Sequence, residues 1–216
     1  MKYIYLILVI VSFLDAQEII QTPIKFSDNR VELTKSYIKA HYGIDAKDIK
    51  ITPKIILIHH TAINSFEESL SRFMEEKLPS LRADISSAGA VNVSTHFMVE
   101  RNGTIHQLMP LNFMARHVIG LNYNSIGIEN VGGADGENNL TDAQLKSNIF
   151  LVKYLKRKFD SIEYLVGHYE YRCFENHELW LERDAGYRTK KNDPHPNFMN
   201  KLVKHFKSLK RAPCDN

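Results

Sequence analysis

The segment 54–61, with the sequence KIILIHHT, restricts the fold more than any other part of the chain. Isoleucine and leucine occupy the four positions before two adjacent histidines, His59 and His60. An unbroken apolar run of this kind is typical of a strand that is buried on both faces. Such strands occur in parallel sheets that helices cover on both sides. The segment therefore predicts the central strand of an α/β domain.

Further strand and helix patterns alternate along the chain. The dipeptide Asn102-Gly103 separates two strand-like runs and predicts a β-hairpin. The pairs Ser65/Glu68 and Thr141/Gln144 are capping-box patterns that begin two helices. The predicted strands are 54–61, 95–100, 104–109, 125–131 and 164–166, and the predicted helices are 31–42, 66–78 and 142–159. This order predicts a mixed, mostly parallel central sheet flanked by helices, with the hairpin as an antiparallel pair.

The chain length of 216 residues fits one such domain, because single domains commonly hold roughly 100–200 residues. No repeat or low-complexity linker divides the sequence, so we expect one domain over 17–216 with its core at about 50–205. The net charge is only +3 and the basic residues are dispersed. Nucleic-acid binding usually requires a clustered basic surface, so nucleic acid is not an expected partner.

The first 16 residues have the pattern of a secretory signal peptide. Lys2 precedes an apolar run, 3–14, that is shorter than the ~20 residues a membrane-spanning helix needs, and Ala16 follows as a small residue for cleavage. An uncleaved anchor is the alternative, because Leu14 is not the usual small residue. We expect a periplasmic or secreted monomer without stable membrane insertion. Export would permit Cys173 and Cys214 to pair, although the sequence does not decide this.

Two histidines are placed where a ligand site is expected. His59 and His168 each follow a predicted strand, and ligand sites in parallel sheets lie at the carboxyl ends of strands. A catalytic zinc site needs about three ligands from His, Cys and carboxylate. The chain has 10 histidines and no HExxH motif, so spacing alone leaves ordinary core or polar histidines as the alternative.

Five segments in order resemble the zinc-dependent N-acetylmuramoyl-L-alanine amidases of the type 2 family, which are related to phage amidase-lysozymes and animal peptidoglycan recognition proteins. They are IILIHHTA (55–62), VSTHFMVERNGTIHQLMP (93–110), NSIGIENVGG (124–133), VGHYEY (166–171) and KKNDPHP (190–196). The resemblance covers roughly residues 50–200. It implies one zinc ion, and peptidoglycan or muropeptides as the partner. It also implies cleavage, by zinc-activated water, of the amide bond between N-acetylmuramic acid and L-alanine.

The resemblance also implies roles for single residues. His59 and His168 match the first two zinc ligands, and Asp193, in a Lys-x-Asp-Pro context, matches the third. Some relatives use cysteine as third ligand, which makes Cys173 the alternative to Asp193.

Three further residues match positions that act on the substrate. Glu129 matches the catalytic acid and Lys191 a basic residue that stabilises the oxyanion. His117 matches a histidine near the substrate, although Arg116 replaces the aromatic residue that often precedes it. Without the resemblance, Glu129 would be read as a solvent-facing strand residue and Lys191 as solvated surface.

The segment 169–190, between the second and third matched ligands, is longer than in familiar relatives. Its aromatic residues argue against disorder. We expect an ordered wall of the cleft whose aromatic faces hold the sugar or peptide, while Arg172, Arg183 or Arg188 meets a carboxylate. Packing away from the substrate is the alternative. For the whole chain, the alternatives are a catalytically silent peptidoglycan-binding protein and a zinc peptidase that acts within the stem peptide.

Overall fold

A six-stranded sheet organises the part of the chain that the computed structural model describes, residues 17–80, 82–86 and 88–214. Its strands are β1 (Ile19–Gln21), β2 (Ile55–His60), β3 (Phe97–Val99), β4 (Ile105–Gln107), β5 (Ser125–Asn130) and β6 (Tyr164–Gly167). They lie in the order β1-β4-β3-β5-β2-β6. The predicted signal peptide, residues 1–16, lies outside the described residues.

The strand pairing confirms the predicted fold class. β2 lies between β5 and β6, pairs with both in parallel and has all six residues buried, as expected for the central strand. The hairpin strands β3 and β4 form the only antiparallel pair among the named strands of the described residues. The short strand β1, which the sequence patterns did not predict, extends the sheet by pairing in parallel with β4.

Five helices accompany the sheet in the described residues: α1 (Asp28–Tyr37), α2 (Phe66–Met74), α3 (Ala83–Ser86), α4 (Asp142–Lys158) and α5 (Pro196–Val203). Both predicted caps form, because Ser65 and Thr141 accept hydrogen bonds from the backbone N–H groups of Glu68 and Gln144. α1 continues as a π-helical turn that ends at Gly43, where φ is 65°. Across the described residues, no helix has both the length and the apolar character needed to cross a bilayer.

The strand register places the site residues together. In the pairing of β2 with β5, His59 lies beside Glu129. In the pairing of β2 with β6, Ile58 lies beside Gly167. The residue that follows Ile58 is His59, and the residue that follows Gly167 is His168. Because neighbouring strands are about 4.8 Å apart, these three side chains emerge close together at the carboxyl end of the sheet.

A disulfide bond joins Cys173 to Cys214, with 4.7 Å between their Cα atoms. These are the only two cysteines of the chain. The bond ties the residues that follow α5 to the 3-10 helix at His168–Phe174. Because its sulfur is bonded to Cys214, Cys173 has no thiolate to offer a metal ion.

A buried ion pair fastens the segment 169–190 to the π-helical turn after α1. Nδ1 of His41 lies 2.9 Å from Oε1 of Glu182, and Nε2 of the same ring lies 2.9 Å from the carbonyl oxygen of Ala88. Both partners have lone pairs that accept hydrogen bonds, so both ring nitrogens of His41 are placed to donate. The Glu182 side chain is fully buried.

We predict that His41→Ala lowers the free energy of unfolding by about 3–5 kcal/mol, because it leaves the Glu182 carboxylate buried without its counter-charge. Urea denaturation followed by circular dichroism measures this change. The double variant His41→Leu/Glu182→Leu should recover most of the loss, since apolar residues often replace a buried ion pair at little cost. Lys39→Ala, which removes the exposed pair with Asp45, is the control and should cost at most about 1 kcal/mol. A His41→Ala loss no larger than the control would contradict the prediction.

Candidate metal centre and cleft

Three side chains converge at the carboxyl end of the sheet. Nδ1 of His59 lies 3.0 Å from Nδ1 of His168, and Oδ2 of Asp193 lies 3.3 Å and 3.0 Å from these two atoms. One ligand atom from each residue lies within 4.8 Å of the others, and all three residues are buried. Two imidazole nitrogens and one carboxylate oxygen are a donor set that zinc accepts. The cluster therefore fits a metal ion, and it contains the three residues that the sequence motifs indicated.

The charges around the cluster favour the metal-binding protonation states. Burial, together with the nearby His168, lowers the pKa of His59 to about 4, although Asp193 opposes the shift. For Asp193, burial acts to raise the pKa, but His168 and His59 together hold it well below its usual range. Near neutral pH His59 is thus a neutral imidazole and Asp193 a carboxylate, as metal ligands must be.

Glu129 lies next to this cluster in a largely dehydrated position. Its Oε1 is 4.0 Å from Nδ1 of His59, and its Oε2 is buried without a hydrogen-bond partner among the described residues. Burial raises the pKa of Glu129 well above its usual range, and the Asp193 carboxylate adds to this, while Lys191 opposes it. The sequence alternative of a solvent-facing residue is wrong, since Glu129 is only 8% exposed. A carboxyl group whose pKa is raised in this way is suited to take up and release a proton.

The cluster opens into a cavity of about 540 Å³, a volume typical of sites for small ligands. Lys191 lines this cavity, and its charge acts on both Glu129 and His59. His60 also lines it, although successive strand residues point to opposite faces, and packs against Gly133. The cavity thus joins the metal-type cluster, a buried carboxyl group and a cation in one space.

His117 lines the cavity and contacts the cluster directly. Its Nδ1 lies 2.9 Å from Nε2 of His59, and its Nε2 lies 3.2 Å from the hydroxyl oxygen of Ser125. Burial and the nearby His59 hold the pKa of His117 well below its usual value. His96, in contrast, is a packed residue as expected, since its ring bonds the carbonyl of Phe113 and the N–H of Gly127.

The segment 169–190 is ordered, but most of its aromatic residues do not face the cavity. Tyr171 and Phe174 are 1% and 0% exposed and belong to the core beneath the sheet. Trp180 stacks on Tyr171, and the guanidinium carbon of Arg188 lies 4.7 Å from the centroid of the Trp180 ring. Burying these rings is more favourable than exposing them in a cleft. The expectation of an aromatic sugar-binding wall is therefore wrong for these residues.

The cavity wall contributed by this segment consists of Tyr187, Thr189 and Lys190. Arg172 and Arg188 both pair with Glu175 rather than facing the cavity. The part that reaches the cleft is therefore the stretch directly before Lys191, not the aromatic centre of the segment.

Arg116 organises the opposite wall, a role that the sequence did not predict. Its buried guanidinium donates hydrogen bonds to the backbone carbonyls of Ile85, Gly89 and Val91 and lies 5.0 Å from the ring centroid of Tyr37. These hydrogen bonds fix the loop that contains the three carbonyl groups. The one feature of the sequence that could have indicated this role is the position of Arg116 directly before the motif residue His117.

Comparison with known proteins places these residues in a family. The profile of the N-acetylmuramoyl-L-alanine amidase family Amidase_2 matches residues 48–196, which include every cluster residue. The endolysin of Escherichia phage T7 is 34% identical over 86 residues, which are 38% of this chain and 56% of the endolysin. The chain thus matches little more than half the length of that relative.

Two solved structures share the fold. The AmpD structure has a TM-score of 0.53 and 18% identity and covers 87% of this chain and 94% of its own. AmiD from E. coli, solved in complex with a substrate, has a TM-score of 0.50 and 23% identity. The match covers 74% of this chain and 60% of the AmiD chain. At sequence identities this low, the two structures show only that the fold is shared. Membership of the family is shown by the family profile, which matches more than half of the chain. The chain belongs to the N-acetylmuramoyl-L-alanine amidase family, Amidase_2.

Proposed function

We propose that the protein hydrolyses the amide bond between N-acetylmuramic acid and the L-alanine of the stem peptide in peptidoglycan or muropeptides. The observation that carries this proposal is the convergence of His59, His168 and Asp193 beside Glu129 in one cavity, within the stretch that matches the family. AmiD from E. coli, which has the same fold, has been solved with an anhydro-N-acetylmuramic acid peptide as substrate. The bond that we propose as the target is likewise an amide bond with a sugar on one side and a peptide on the other.

His59, His168 and Asp193 would hold one zinc ion, to which the donor set is suited. Zinc in such a site acts as a Lewis acid that polarises the scissile carbonyl and makes water more acidic. The buried position of the three ligands keeps competing solvent away from them. This follows a general pattern in which the protein fixes the geometry and the surrounding polarity of the site.

The neighbouring residues then perform the proton transfer and charge stabilisation. Oε2 of Glu129, which has no partner among the described residues, would accept a proton from the attacking water and deliver it to the leaving nitrogen of L-alanine. The ammonium group of Lys191 would stabilise the negative charge that develops on the carbonyl oxygen. His117 would contact the substrate through its ring face, since both ring nitrogens already have partners.

Digestion of defined muropeptides followed by mass spectrometry tests this function. The proposal expects intact stem peptides that begin with L-alanine, together with the peptide-free sugar. Fragments cut within the stem peptide would identify a zinc peptidase instead. Binding of muropeptides without any product, by protein that contains stoichiometric zinc, would identify a catalytically silent binding protein.

We propose that the protein acts in the periplasm or after secretion, because residues 1–16 have the pattern of a signal peptide. This location agrees with a substrate that is part of the cell wall. We predict that the protein recovered from the periplasm or the medium begins near Gln17. N-terminal sequencing of that protein measures this directly. Full-length protein confined to the cytoplasm would contradict export.

A further inference from the structure

The two ring nitrogens of His59 have different surroundings. Its Nδ1 points to the cluster, 3.0 Å from Nδ1 of His168 and 3.3 Å from Oδ2 of Asp193. Its Nε2 lies 2.9 Å from Nδ1 of His117. A histidine that binds a metal is neutral and carries its one proton on the nitrogen that faces away from the metal. The partner of Nε2 therefore decides whether Nδ1 has a free lone pair.

Ser125 sets the direction of the hydrogen bonds in this chain of groups. Its hydroxyl lies 2.8 Å from the carbonyl oxygen of Leu121 and 3.2 Å from Nε2 of His117. A carbonyl oxygen only accepts, so the single hydroxyl proton of Ser125 must go to Leu121. The serine oxygen is then an acceptor toward His117. If Ser125 donated to His117 instead, the oxygens of Ser125 and Leu121 would lie 2.8 Å apart without a proton between them.

The direction of the hydrogen bonds continues through His117 to the cluster. With its proton on Nε2, the neutral His117 ring has only an acceptor at Nδ1. The contact with His59 then requires that Nε2 of His59 donates. This leaves the lone pair of His59 Nδ1 directed at His168 and Asp193.

The position of the His117 ring is itself fixed by the sequence around it. The backbone N–H groups of His117 and Val118 both donate to Oδ1 of Asn122, at 2.8 Å. The ring lies directly over Gly127, where a Cβ atom would be 2.9 Å from its Nδ1 and 3.0 Å from its Cγ. Real Cβ atoms essentially never lie so close to a neighbouring atom, so the glycine of the SIGIEN segment leaves the space that this ring occupies.

We propose that Ser125 and His117 form a directional hydrogen-bond relay that keeps the proton on Nε2 of His59 and so presents Nδ1 as the metal-binding atom. In this relay both are positioning residues, because they act on the metal site through His59. The proposal rests on the proposed metal site, and it gives His117 a role beyond substrate contact. It also explains why a glycine stands at position 127, one strand away from the ligand.

Zinc affinity and the His59 tautomer are the two measurements that test the relay. Competition with a chromogenic chelator gives the zinc affinity of the purified protein and its variants. His117→Phe keeps a ring but removes the acceptor, and it should weaken zinc binding about 10–100-fold, as typical for loss of a partner that orients a ligand. His117→Asn restores an acceptor oxygen near the position of Nδ1 and should recover part of the affinity. Ser125→Ala should weaken binding less, because His117 can still adopt the required tautomer.

Ser147→Ala is the matched control for Ser125→Ala. Ser147 is a buried serine whose hydroxyl donates to the carbonyl of Gly103, away from the cavity. Its replacement should leave the zinc affinity unchanged. Long-range ¹⁵N–¹H NMR spectra of the metal-free wild-type protein should show His59 protonated at Nε2, and this result does not depend on the folding of any variant.

Two outcomes would overturn the relay: protonation of His59 at Nδ1 in the wild type, or unchanged zinc affinity in a folded His117→Phe protein. These differ from a failure of the proposed function. A wild-type protein that binds zinc tightly but does not cleave muropeptides would leave the relay intact. A wild-type protein that cleaves them while His117→Phe binds zinc normally would refute the relay alone.

Discussion

Alanine at His59, His168 or Asp193 is expected to abolish stoichiometric zinc binding. Each replacement removes one of the three proposed protein ligands and leaves the other two buried without their partner. The loss of affinity should exceed the ~10–100-fold that follows from the loss of a supporting residue. Metal content after dialysis, measured by mass spectrometry, checks this result. In the wild type, chelation should abolish amidase activity and added zinc should restore it.

Two controls make this result specific. His205→Ala removes an exposed histidine outside the cavity and should keep one zinc ion per chain. The double variant Cys173→Ser/Cys214→Ser removes the disulfide and should also keep zinc, because we propose Asp193, and not Cys173, as the third ligand. If Asp193→Ala kept its zinc while the cysteine variant lost it, the assignment of the third ligand would be wrong.

Glu129→Gln is expected to lower the turnover of muropeptides about 10²–10⁴-fold while zinc content and fold remain those of the wild type. Glutamine keeps the size of the side chain but cannot accept a proton. The reason for a large effect is the position of Glu129, which is buried, has no partner for Oε2 among the described residues and lies 4.0 Å from Nδ1 of His59. Steady-state kinetics on a zinc-loaded preparation measures the change.

Glu178→Gln is the matched control for this substitution. Glu178 is an exposed carboxylate outside the cavity, so its loss should leave turnover unchanged. Near-normal turnover of the zinc-loaded Glu129→Gln protein would remove Glu129 from the mechanism and direct attention to another proton acceptor in the cavity.

The sequence predicted the parts of this structure that local interactions determine. The strand at β2, the hairpin at Asn102-Gly103 and the caps at Ser65 and Thr141 all form, because each depends on residues close together in the chain. The strand β1 was not predicted, since three residues carry little pattern and its pairing with β4 is a long-range contact. The helix α2 ends at Met74, not at Leu78 as its apolar spacing indicated.

The site shows the same division. His59 and His168 could be placed together from the residues alone, because both follow strands of one sheet. Asp193 lies on a loop, so only the family resemblance indicated it as a partner of the two histidines. The interior packing of Tyr171 and Phe174 depends on the shape of the core, which no local pattern encodes. The bond between His117 and His59 likewise joins two distant segments.

The disulfide between Cys173 and Cys214 encloses Asp193 in a covalent ring, whereas His59 and His168 lie outside it. A protease that cuts once within this ring, for example in the exposed stretch 183–186, cannot release a fragment. The two new ends stay attached to one molecule, and Asp193 stays tethered near the two histidines at a high effective concentration. A nicked protein would therefore migrate as one chain until it is reduced, and it would keep its three metal-binding side chains within reach of each other.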